Sequence, residues 1–162
     1  MGVDVGIKIK MLDESNVPQI EIEVSDQDNS LGSILDGSSE IRYLSVNLND
    51  EKFLTQEELE KIKLYYDPEQ EMVMTSNILD SNEAVRIFDK IFRFTYRRLS
   101  NSLEKDIEKI NGFQIDEENK SSRRKSQISE YIGFEYSLGV TIGILKSAAK
   151  IYPKVQIIGE YY

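Results

Sequence analysis

The sequence predicts an α+β fold: a small antiparallel sheet from the N-terminal half, packed with a long C-terminal helical hairpin, the last strand returning to the sheet. Three observations carry this. The first residues alternate apolar and polar with a period of two, the stretch Val85 to Ile110 has an apolar line of helical period, and the closing "VQIIGEYY" again reads as a strand. A chain of 162 residues, 40% of them hydrophobic, can bury one real core, so a single domain over 1–162 is expected.

In "VDVGIKIK", Val3, Val5, Ile7 and Ile9 share one face, and Asp4, Gly6, Lys8 and Lys10 the other, as in a half-buried strand. "QIEIEV" repeats the pattern, with Ile20, Ile22 and Val24 expected inward and Glu21 and Glu23 outward. Between them "DESNVP" suits a hairpin turn, which lets Lys8 and Lys10 face Glu21 and Glu23. Residues 25–40, rich in Ser, Asp, Gly and Asn, read as a long loop, and "IRYLSVNL" supplies a third strand. A helix is expected at about 55–66, because Thr55 and Glu58 have capping-box spacing and Leu54 and Leu59 that of a hydrophobic staple. "QEMVMT" follows as a short strand, completing a mainly β region over 1–75.

Two long helices joined by a polar connector are expected over 80–152. Val85, Phe88, Phe92, Tyr96, Leu99, Leu103, Ile107 and Ile110 recur at spacings of 3, 4, 4, 3, 4, 4 and 3, about 3.67 residues per turn, which suits a long straight helix. Asp80 and Ser81 can cap its start, and Asn111-Gly112 ends it. "QIDEENKSSRRKSQ" reads as the connector. In the segment after it, Phe134, Tyr136, Leu138, Val140, Ile142 and Ile144 alternate like a strand, while Gly139, Gly143 and Ser147 recur every fourth residue. The continuation "LKSAAK" and the interior glycines favour a helix, one apolar on nearly all sides except the line Glu135, Lys146, Lys150 and therefore expected to be buried. Pro153 ends it, and 154–162 is the terminal strand.

The sequence contains no Cys and no His, which excludes disulfides, thiolate zinc sites, cysteine nucleophiles and Ser-His-Asp catalysis. No phosphate-cradling glycine loop follows a strand, and Glu104 and Glu108 interleave with Lys105 and Lys109 as on a solvated helix. A non-enzymatic protein without cofactor or metal is expected. The alternating start is unlike a signal peptide, Gly6 stands where myristoylation wants Ser or Thr, and no uninterrupted apolar run spans a bilayer. A cytoplasmic protein without membrane association is expected. Net charge is −9, with 17 acids and 6 bases over 1–75 but 12 acids and 14 bases over 76–162, so the two halves can attract each other within one molecule or between copies.

Two charged constellations are candidate sites. Arg86, Lys90, Arg93 and Arg97 form a basic ridge along the first long helix, extended by Arg123, Arg124 and Lys125 in the connector. The aromatics of the helix are expected to face the core instead of interleaving with the cations, which argues against base stacking; Asp89 supports Arg93 at i+4. The acids Asp26, Asp28, Asp36, Glu51, Glu57, Glu58 and Glu60 form a candidate surface for a protein partner, able to imitate a phosphate backbone. Asp26-x-Asp28-x-Ser30 starts like a calcium loop, but Leu31 replaces the turn glycine and Gly37 the bidentate Glu, so it reads as a solvated loop.

The leading expectation is a protein-interaction module, an acidic inhibitor or regulator of a nucleic-acid-handling protein. A nucleic-acid-binding accessory using the basic ridge, and a structural homo-oligomer, are the alternatives. A homodimer through the helices is expected because the Phe88, Phe92, Tyr96, Leu99 face and the close-approach Gly139/Gly143 face together exceed what one small sheet covers.

Overall fold

The computed structural model describes residues 5–24, 40–41, 46–47 and 54–161. Among them the elements run β1 (Val5–Leu12), β2 (Pro18–Val24), β3 (Glu40–Ile41), β4 (Val46–Asn47), α1 (Gln56–Ile62), β5 (Tyr65–Tyr66), β6 (Val73–Thr75), β7 (Leu79–Asp80), α2 (Ser81–Asn111), α3 (Glu117–Ala149) and β8 (Lys154–Tyr161). The fold is α+β, with a six-stranded sheet in the order β2-β1-β8-β6-β5 and β7 also paired to β8. Every pairing is antiparallel.

The β1–β2 hairpin forms as its alternation predicts. Asp13 closes the turn by accepting from the Ser15 and Val17 amides at 2.9 Å, and Asn16 takes the left-handed φ of 63° that Asn tolerates. Lys8 stands opposite Glu23 and Lys10 opposite Glu21, the latter pair 3.8 Å apart, while Lys8 reaches across to Glu160 of β8 at 3.1 Å. The inward set is only partly covered: Val24 is buried, but Ile20 is 43% and Ile22 37% exposed, because β2 is the edge strand.

The returning C-terminal strand is the middle of the sheet, paired along its whole length with β1 on one side. On its other side β6 and β7 share one edge, β6 opposite Ile158 to Glu160 and β7 opposite Lys154 and Val155. Three residues, Ser76 to Ile78, face two on β8, which makes a bulge. Ser76 repairs the ladder there. Its amide donates to the Ile157 carbonyl at 2.8 Å, and its hydroxyl accepts from the Ile157 amide at 2.9 Å.

Three expectations about local structure are corrected. Helix α1 stops at Ile62, because Leu64 turns into the core and Tyr65 and Tyr66 pair with Thr75 and Met74. The expected third strand does not join the main sheet in its described residues; Glu40–Ile41 pairs with Val46–Asn47 in a ladder of its own. Most of the expected connector is helical, since α3 begins at Glu117 with Asp116 as N-cap, its carboxylate accepting from the Asn119 amide at 2.8 Å.

The two long helices form the expected hairpin. Asp80 caps α2 by accepting from the amides of Asn82 and Glu83, and Ser81 ties this end to the chain beyond α3, donating to the carbonyls of Pro153 from its amide and Tyr152 from its hydroxyl. The core joins sheet and hairpin, with Ile7, Ile9, Met11, Val155 and Ile157 meeting Ala84, Ile87, Phe88 and Ile91 of α2 and Phe134, Leu138 and Leu145 of α3. From Asn101 to Glu130 only Ile110 is buried, so the far end of the hairpin is an arm in which the helices mainly meet each other.

Candidate functional site

The lower end of the basic ridge is engaged inside the chain. The capping box of α1 forms in full: the Glu58 amide donates to Thr55 Oγ1 at 3.1 Å, and the Thr55 amide to the Glu58 carboxylate at 3.0 Å. The same carboxylate, 7% exposed, accepts from Arg86 at 2.9 Å and from Lys90 at 2.9 Å. Burial pushes its pKa up, but the Thr55 amide, Lys90 and Arg86 outweigh this and hold it down at about 2. Glu83 continues the network, bridging Lys61 at 2.8 Å and Arg86 at 3.0 Å, and those two cations hold its carboxyl below the usual range. Arg93 is exposed and pairs with Asp89 at 3.0 Å, as the i+4 spacing predicts. The side chain of Arg97 lies outside the described residues.

The remaining cations stand at the tip of the hairpin, on the first turns of α3 and not in a loop. Arg124 donates to Asn111 Oδ1 at 2.7 Å and to Glu117 at 2.8 Å, and Lys120 donates to the Asn111 carbonyl at 2.9 Å, tying the two helix ends together. Arg123 lies 5.3 Å from the centre of the Phe113 ring; Lys125 is exposed. Deeper in the arm, Asp106 accepts from Tyr131 Oη at 2.8 Å and from Gln127 at 3.0 Å. Burial and then Asp106 push the Tyr131 phenol above its usual range. An open cleft of about 540 Å³ lies here, lined by Asp106, Lys109, Ile110, Phe113, Ser122 and Arg123 among others.

Of the acidic candidates, Glu58 is buried in the network just described, and Glu57 and Glu60 are exposed. Asp26, Asp28, Asp36 and Glu51, and with them the calcium-like loop, lie outside the described residues. Among the described residues no three acidic side chains come together as a group able to hold a metal ion. Nor is any helix among them long and apolar enough to cross a membrane.

The surface that sequence reasoning misplaced is the outer face of α3. This helix, expected to be buried apart from the polar line Glu135, Lys146 and Lys150, buries Tyr131, Phe134, Leu138, Ile142 and Leu145 and turns to solvent, along that line, a face that is also apolar. Ile128 is 40%, Ile132 61% and Tyr136 53% exposed, and Gly139 and Gly143 lie exposed on the same face. The strand-like alternation resolves accordingly. Phe134, Leu138 and Ile142 are one i, i+4 row in the core, while Tyr136 belongs to the outer side and Val140 and Ile144 to its flank. Helix α2 departs from expectation in a related way: Phe88 is buried and Phe92 packs on the core, but Tyr96, expected inward, is 58% exposed. Its buried side near the sheet is Ala84, Ile87, Phe88 and Ile91. The side chain of Leu99 is not among those described.

No protein-family model, no curated protein and no solved structure matches this chain.

Proposed function

We propose that the chain is a non-enzymatic interaction module that docks a protein on the outer face of α3. The observation that carries this is the row Ile128, Ile132 and Tyr136, three large apolar side chains at four-residue spacing that the fold leaves 40 to 61% exposed. Such a row on a helix is the form in which an apolar partner surface is read. The basic ridge supports a nucleic-acid reading less well, since Arg86 and Lys90 are engaged by Glu58 and Arg93 by Asp89. The acidic half is likewise reduced as a docking surface where Glu58 is buried.

The test is site-resolved photo-crosslinking of the full chain in extract of the cells that make it, with the reactive residue at 132, at 57 or at 93. Protein adducts are expected from position 132 and not from the other two. Adducts confined to 57 would move the docking surface to the acidic half, and nucleic-acid adducts from 93 would restore the ridge; either result overturns the proposal.

A further inference from the structure

The outer face of α3 carries charged residues, Glu135 and Lys146 among them, as well as its apolar row. Glu135 and Lys146 are eleven residues apart, three helical turns, and so point within about 20° of one another on the same side of the exposed face. Neither makes an ion pair with another described residue. Between them lie Gly139 and Gly143. A Cβ at either position would meet nothing within 4 Å among the described residues, so packing against them gives no reason for a residue that weakens a helix interior.

These features fit one occupant, a second copy of the same helix running antiparallel. With a twofold axis at residue 141, each Gly139 stands opposite the partner's Gly143, and the bare backbones can approach closely. Glu135 lies six residues before that point and Lys146 five after it, so at 1.5 Å per residue Glu135 and the partner's Lys146 come within about 1.5 Å of the same height. A twofold perpendicular to the helices and lying between them keeps both charges on the same side of the seam. The pair therefore forms twice, once for each copy. Ile132 falls at the height of the partner's Lys150, whose aliphatic stem can cover it. A parallel pairing would put Glu135 at the height of the partner's Glu135 and Lys146 at that of the partner's Lys146, bringing no opposite charges into register.

We infer that the chain self-associates through α3 as an antiparallel pair, with Gly139 and Gly143 at the crossing and reciprocal Glu135–Lys146 ion pairs on either side of it. This rests on the reading of the outer α3 face as the docking surface and names the partner.

The experiment is sedimentation equilibrium of the full chain and of E135K, K146E, the double variant E135K/K146E and Gly139→Leu, with circular dichroism to verify folding. The native chain is expected at twice its chain mass. Each single reversal sets like charges together at two sites and should weaken the dimer about tenfold or more, while the double variant should return to within about threefold of the native chain. Gly139→Leu should dissociate it with helicity kept, since the site is open within the chain. Failure of the double variant to recover while both singles weaken, or a dimer indifferent to every change, would overturn this arrangement. A native monomer whose position 132 crosslinks to a different protein would overturn self-pairing and keep the docking surface; a monomer with no adduct from 132 would overturn both.

Discussion

Replacing Glu58 by Gln keeps the shape of the side chain and an acceptor for the Thr55 amide, but takes the counter-charge from Arg86 and Lys90. The carboxyl is held at about 2 against an ordinary value of 4.5. A depressed carboxylate pKa stabilises the fold above the unfolded-state value, and the stabilisation is lost as pH falls from about 5 toward 2. At 1.36 kcal/mol per pKa unit the full difference is about 3 kcal/mol. The cationic side chains are 50% and 40% exposed, so solvent screening brings the expected contribution to about 1–3 kcal/mol. Urea unfolding of the native chain and Glu58→Gln, followed from pH 7 to pH 3, measures it. The variant should be less stable by that amount at pH 7, and more than half of the difference should be gone at pH 3. A difference that stays constant across this range, or no difference at pH 7, would refute the reasoning that the pairing of Glu58 stabilises the fold.

Two further sites yield sharp expectations. Ser76→Ala leaves the buried Ile157 amide without its acceptor and should cost about 1–3 kcal/mol in urea unfolding, with faster hydrogen exchange at Ile157; a loss below about 0.5 kcal/mol would mean that the bulge closes by another route. Asp106→Asn should lower the titration midpoint of Tyr131 toward the ordinary phenol range, read by ultraviolet absorbance against pH, and an unchanged midpoint would leave burial as the sole cause of its elevation.

Beyond the helical hairpin and the return of the last strand to the sheet, what could be read from the sequence was local, and what could not was a matter of which distant element lay alongside. Thr55 and Glu58 announce the start of α1 because both halves of a capping box lie within four residues, and Asp89–Arg93 is legible for the same reason. The end of α1 is not, since Tyr65 and Tyr66 leave the helix to pair with Met74 and Thr75. Charge asymmetry predicted attraction between the halves, but that Arg86 and Lys90 meet at Glu58 depends on α1 lying against α2. The start of α3 was hidden because "ENKSSRRKSQ" has no apolar period. In the arm the helix is held by polar ties such as Arg124 to Asn111 and Gln127 to Asp106, and it extends cooperatively from the core-anchored turns around Phe134 and Leu138.

The outer face of α3 was misjudged from its composition, and the reason bears on what the helix is for. A helix apolar on nearly all sides is ordinarily enclosed, yet the sheet and α2 together enclose only part of α3, and the open part runs along Glu135, Lys146 and Lys150. Two glycines on the open face each cost roughly 1 kcal/mol of helix stability relative to Ala, with no contact among the described residues to offset it. If close approach of another helix is what retains them, the double change Gly139→Ala with Gly143→Ala should move two properties in opposite directions. The isolated chain should gain about 1–2 kcal/mol in unfolding at low concentration, where association contributes little. Association measured by sedimentation should weaken, because two methyl groups per copy enter the seam. A variant that gains stability and associates as tightly as before would show that the seam does not run over the glycines, and the site would then shift toward Ile132 and Tyr136 alone.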